Sequence, residues 1–99
     1  MSRPKRRPTH PGAILREDIL PAAGINQTKL AKMLGTSRRS VSELIHEQKP
    51  VSTDIAHRLA RVFNTTPQFW LNRQQNVDLW DAFERNRVEY HKLKPLLAS

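Results

Sequence analysis

The stretch from Gln27 to Ile45, QTKLAKMLGTSRRSVSELI, constrains this chain more than any other. It reads as a helix, a tight turn and a second helix. Ala31 lies four residues after Gln27 and must be small, because two helices crossing at close range leave no room for a larger side chain. Gly35 follows the last apolar residue of its helix, where the chain turns with positive φ at little cost. Ser37 can cap the next helix through its hydroxyl. Val41 and Leu44, three apart, turn one face inward. The opposite face carries Arg38, Arg39, Ser42, Glu43 and His46. A helix-turn-helix lays its second helix in the DNA major groove with N-terminal residues on base edges, and this pattern has the composition to do so.

Charge points the same way. The 99 residues hold 17 Lys and Arg against 9 Asp and Glu, a formal net charge of +8, which favours a polyanionic partner. The charge is not gathered on one face of a single amphipathic helix, as membrane-surface binding requires. The length suits one domain with a modest core. At 37% hydrophobic residues, part of the chain is expected to be disordered or to rely on a partner. There is no cysteine, hence no disulfide or thiolate metal site. No apolar run approaches the ~18 residues of a membrane helix, and the basic N-terminus lacks a following apolar segment. A cytoplasmic protein, nucleoid-associated when on DNA, is the expectation.

Along the chain the expected architecture is all-α, with five helices in residues 10–84. Residues 1–9, with Arg3 before Pro4 and Lys5, Arg6 and Arg7 between Pro4 and Pro8, read as a flexible basic arm, either lying in a minor groove or along phosphates, or simply solubilising. Thr9 or His10 caps the first helix with Pro11 in its first position; Ile14, Leu15 and Ile19 form its buried side, and Pro21 and Gly24 break it. Asn26 or Thr28 caps the second helix, packed by Leu30, Ala31 and Leu34. The third runs from Arg38 to His46, followed by a Gln48–Pro50 loop. Ser52 starts the fourth, with Asp54 in its first turn and Ile55, Leu59, Val62 and Phe63 in helical register. Asn64 is a left-handed stop, and Thr66 and Pro67 open the fifth. Residues 85–99 form a C-terminal extension, a short extra helix or a tail that orders on a partner. Five of the six aromatics follow residue 68. Phe69, Trp70 and Leu71 are consecutive and cannot share a helix face, so either they close the core or some of Trp70, Leu79, Trp80 and Phe83 form a dimer or partner interface.

Catalytic patterns are missing from the sequence. His10, His46, His57 and His91 show no metal-binding spacing, Ser37, Ser40 and Ser42 have no nucleophile-elbow context, and the three glycines stand too far apart for a phosphate loop. No catalytic residue, metal or cofactor is expected. The candidate DNA-binding residues are Gln27, Thr28, Ser37, Arg38, Arg39, Ser42, Glu43, His46 and Lys49. Arg38 and Arg39 are suited to guanine O6 and N7, and Ser42 to a base edge or a phosphate. Glu43 can accept from a cytosine amino group or pair with Arg39. His46, Lys49, Gln27 and Thr28 can reach phosphates, the last two at a positive helix end.

These residues also carry a family resemblance. His10-Pro11-Gly12 with Ile14-Leu15, then Gln27, Leu30-Ala31, Gly35, Ser37-Arg38-Arg39, Val41-Ser42-Glu43-Leu44, Lys49-Pro50-Val51-Ser52, Ala56, Arg58-Leu59-Ala60, Thr66-Pro67, Trp70-Leu71-Asn72 and Leu79-Trp80 resemble the HigA (VapI-like) antitoxins, over about residues 10–81. The resemblance implies a bacterial, dimeric, cytoplasmic protein of the lambda-repressor-like fold that neutralises a HigB-type ribonuclease toxin and represses the shared operon by binding duplex operator DNA. The chain departs from that pattern at Ala13, often Glu in the family, and at His46-Glu47, often Asn-Gly. No matched motif carries the toxin contact. The alternatives are a stand-alone helix-turn-helix repressor without a toxin and a protein-interaction module on the same scaffold.

Overall fold

The computed structural model describes residues 5–97. All regular structure among them is helical. A continuous helical run, α1, consists of Pro11–Ile14, a π-helical stretch Leu15–Ile19 and Leu20–Ala23; α2 is Gln27–Leu34, α3 Arg38–Ile45, α4 Thr53–Phe63 and α5 Pro67–Lys92.

The helix starts follow from local chemistry. His10 Nδ1 accepts the Gly12 N–H at 2.9 Å, and Pro11 takes a position where an N–H would find no partner. Asn26, Ser37, Ser52 and Thr66 each accept a backbone N–H three residues on, the standard remedy for the unpaired donors of a first turn. Gly24, Gly35 and Asn64 end α1, α2 and α4 in the left-handed conformation.

Pro21 does not break α1. Proline cannot donate to the carbonyl four residues back, and the helix absorbs this by widening: the Leu20 N–H donates to Leu15 O, a five-residue step. The widened turn also serves packing. Leu15 and Leu20 are both buried, although residues five apart on a regular α-helix point about 140° apart. Ile14 and Ile19, expected on the buried side, are only partly covered.

Leu15, Leu30, Leu44, Leu59 and Trp70 are at the centre of the core. Trp70 was a candidate interface residue; it is wholly buried within the monomer, stacked edge-on against Phe69 with its indole N–H donated to Thr65 Oγ1 at 2.8 Å. It therefore has no surface to offer a partner. Phe69 and Leu71, its neighbours, cover the core edge. The final helix runs on past residue 85 to Lys92, bending at Asn86 (φ −118°, ψ 20°), whose side-chain amide donates to Ala82 O at 3.0 Å. Its second half projects beyond the core, giving overall extents of 53 × 22 × 21 Å. Among the described residues no helix is long and apolar enough to cross a membrane.

Candidate nucleic-acid interface

Ala31 is buried in the core, and Gly35 turns the chain between the two helices of the motif at φ +67°. Val41, Leu44 and Ile45 bury the inner face of α3. Arg38, Arg39 and His46 are exposed, and Ser42 and Glu43 are half-buried beside them. Arg39 extends into solvent with 88% of its side chain accessible, its Nε 3.8 Å from Glu43 Oε2 one turn on. That separation makes a weak pair that a guanine edge can displace. Ser37 uses its oxygen to accept the Ser40 N–H at 3.0 Å, leaving its hydroxyl hydrogen for a phosphate. His46 Nδ1 lies 2.8 Å from Ser42 O. A carbonyl only accepts, so Nδ1 carries the hydrogen and Nε2 points away from that bond. Lys49 donates its ammonium to Ser40 Oγ, which draws the loop cation alongside α3. At the start of α2, Gln27 is half-buried and Thr28 exposed. The nine candidate residues thus fall on the recognition helix, its flanking loop and the start of the preceding helix.

Four features that hold this surface are absent from the sequence reading. Arg58 donates Nη1 to Leu34 O at 2.8 Å and pairs with Asp54 at 2.8 Å, closing the carbonyl end of α2. Arg16 donates to Ile45 O and closes the end of α3. Gly12 brings α1 against the recognition helix so closely that a Cβ there would lie 2.0 Å from Leu44 O. Gln74 is buried on α5; its Oε1 accepts the Val51 N–H at 2.9 Å and its Nε2 donates to Asp78, fixing the loop after Lys49. Gln74 had a signal: it shares the face of Trp70 and Val77, four back and three on, so a polar residue there sits on a buried stripe.

The N-terminal segment behaves unexpectedly. Arg7, assigned to a flexible arm for DNA, forks onto both oxygens of Asp81 on α5 at 2.8 and 2.9 Å and reaches Glu47 at 3.1 Å. The Arg7 guanidinium holds the Asp81 carboxyl below the usual carboxylate range. His10 beside it is buried, and desolvation lowers its pKa from 6.5. Arg3 lies outside the described residues.

The helix-turn-helix family model (HTH_3) matches residues 15–70. Antitoxin HigA-1 of Vibrio cholerae is 39% identical over 99 residues, covering 100% of this chain and 93% of that protein. The chain belongs to the HigA antitoxin family. Among solved structures, the HigA antitoxin of Pseudomonas aeruginosa, determined with the higBA promoter, superposes with a TM-score of 0.87 at 40% identity, covering 92% of this chain and 100% of that one. Antitoxin GraA in complex with its operator gives 0.88 at 36%, covering 99% and 100%. A further relative, the uncharacterized HTH-type transcriptional regulator YbaQ of Escherichia coli K12, is 42% identical over 89 residues, covering 90% of this chain and 79% of that one.

Within this HigA fold the departure at His46-Glu47 has a defined geometry. Glu47 takes φ +61°, the left-handed conformation that glycine adopts at no steric cost. Leu79 of α5 is 63% exposed, with Trp80 and Phe83 half-buried near it; Phe83 stacks against Tyr90 and His91 on the same helix.

Proposed function

We propose that this protein is the antitoxin of a type II toxin–antitoxin pair. As a homodimer it binds the operator of its own operon through α3, represses transcription, and neutralises a HigB-type ribonuclease toxin in the cytoplasm. It acts by binding, not catalysis. The observation that carries this reading is full-length likeness to antitoxins solved on promoter and operator DNA, combined with an outward α3 face of Arg38, Arg39, Ser42 and His46.

Arg38 and Arg39 donate to guanine edges, and Arg39 leaves Glu43 to do so. Ser42 contacts a base edge or the adjoining phosphate. Ser37, Gln27, Thr28 and Lys49 hold phosphates around the groove and set the register of the helix. His46, through Nε2, contacts the backbone at the far end. Leu79, Trp80 and Phe83 form the dimer or partner surface. A twofold dimer requires a near-palindromic operator with half-sites about 34 Å, or a multiple, apart.

A gel-shift titration at ~150 mM salt tests the DNA half, because affinities depend strongly on ionic strength. Retention of the promoter duplex with a scrambled duplex ignored supports the reading; equal, weak retention of both overturns it. Co-purification with the product of a neighbouring reading frame tests the toxin half. The likeness to a protein described as a transcriptional regulator keeps a stand-alone repressor as the second reading, which an operator-specific protein without such a partner would favour.

A further inference from the structure

Arg7 is tied into the end of the recognition helix. Its Nε and Nη2 grip Asp81, and its Nη1 donates to Glu47 Oε1 at 3.1 Å. The other Glu47 oxygen lies 3.5 Å from Arg16, which also donates to the last carbonyl of α3, that of Ile45. Glu47 is held in the left-handed conformation, which is unfavourable for a residue with a Cβ and persists where its surroundings over-determine it. Its N–H donates to Leu44 O at 3.1 Å, and the next N–H, of Gln48, to Glu43 O at 2.8 Å. Single exposed ion pairs contribute little, but a two-pronged arginine–carboxylate grip within a network is the exception. The network spans the N-terminal segment, α1, the end of α3 and α5.

We propose that Arg7 is a positioning residue for operator binding. By bridging Asp81 to Glu47 it fixes the end of α3 and the loop that carries Lys49, and it acts on DNA through them rather than by touching phosphate. This role rests on the operator-binding function proposed for α3. Its consequence is opposite in sign to simple electrostatics: removing a carboxylate from a basic protein should strengthen its attraction to DNA, whereas loss of the Asp81 anchor should weaken operator binding.

The test uses the full chain, its own promoter duplex and a scrambled duplex, titrated over a series of salt concentrations. The variants are Arg7→Ala, Asp81→Asn and the double variant, with thermal unfolding and amide hydrogen exchange measured on each. Both single variants are expected to weaken promoter binding about 3- to 10-fold with the salt slope unchanged. The double variant should be no weaker than either, because the two changes remove one interaction. The Glu47 and Gln48 amides should exchange faster while core amides keep their protection. The proposal is overturned if Asp81→Asn tightens binding or leaves it unchanged, or if Arg7→Ala lowers the salt slope by about one, the mark of a lost phosphate contact. It is equally overturned if melting temperature falls while promoter affinity well below it holds. Should the parent chain not distinguish promoter from scramble, the operator reading fails by itself. The exchange rates then decide the clamp, and unchanged protection at Glu47 and Gln48 in Asp81→Asn overturns it.

Discussion

Replacing Gly12 by Ala tests whether the first helix sets the position of the recognition helix. The added Cβ would lie 2.0 Å from Leu44 O and 3.0 Å from Leu44 C, both backbone atoms that no rotamer change can move. Ordinary contact is about 3.5 Å, so α1 and α3 must part by about 1.5 Å. The alternative, tilting α1, strains the cap in which His10 accepts the Gly12 N–H. Overpacking costs about 1–3 kcal/mol, and the obstacle here is rigid backbone, which places Gly12→Ala at the upper end. Better helix propensity returns at most about 1 kcal/mol, leaving a net loss of about 2 kcal/mol. In a domain of this size that lowers the melting temperature by about 8–16 °C. Leu44 O also accepts the Glu47 N–H, so the displacement reaches the end of α3. If the shift of α3 removes one of the base contacts proposed for that helix, the cost is about 1–3 kcal/mol, or about 5- to 150-fold in affinity. Thermal and urea unfolding give the first quantity, and promoter titration well below the melting transition gives the second. A variant that melts and binds like the parent would show that α1 yields freely and does not position the recognition helix.

Four further outcomes are expected. Arg39→Ala should cost about 1–3 kcal/mol of promoter binding and relax specificity at one base pair; equal loss on every duplex would make Arg39 a phosphate contact. His10 has a folded pKa below its ordinary 6.5 because of burial. The unfolded chain then holds more protons in that window, so the contribution of His10 to stability is present above pH 6.5 and lost as pH falls through the lowered value. Melting temperatures between about pH 5 and 7.5 should show this slope, and His10→Asn, whose amide oxygen replaces Nδ1 as the capping acceptor but does not titrate, should flatten it. Trp70→Ala should cost about 3–5 kcal/mol in urea unfolding, as a core residue must; a loss below about 1 kcal/mol would return it to the surface. Leu79→Glu should weaken self-association in sedimentation equilibrium, and an unchanged association constant would remove Leu79 from the dimer surface.

The features legible in the sequence are those that local chemistry decides. Asn26, Ser37, Ser52 and Thr66 cap because a short polar side chain beside an amphipathic run has one good use. Gly35 and Asn64 stop helices because each tolerates left-handed backbone. The outward set on α3 follows from two buried positions three apart. The unread features depend on partners far along the chain. Arg7 meets Asp81 74 residues away, Arg16 meets Ile45 29 away, and Arg58 meets Leu34 24 away; an arginine in sequence does not declare whether it faces DNA, a carboxylate or a helix end. Pro21 signals a stop locally, and packing of Leu15 with Leu20 overrides it. Phe69, Trp70 and Leu71 compete for one buried place, and only the assembled core shows that Trp70 takes it. The helix continues past residue 85 because Asn86 supplies its own bond to Ala82 where the backbone bends.

The widened turn at Leu15–Ile19 makes α1 a helix with a phase shift built into it. A five-residue hydrogen-bonded step holds one residue more than a regular turn. Removing a single exposed residue there, Asp18 for instance, would take the extra residue out of that step, while Pro21 would still donate no bond. The half of α1 before the deletion would then turn by about 100° relative to the half after it. With Leu20 still seated in the core, Gly12 would swing off Leu44 and Arg16 off Ile45; with Gly12 still seated, Leu20 would leave the core. Every side chain proposed to contact DNA would survive such a deletion, and the surface that presents them would lose its support. Across Leu15–Ile19 the number of residues is therefore held more tightly than the identities of Glu17 and Asp18, which can change while the count cannot.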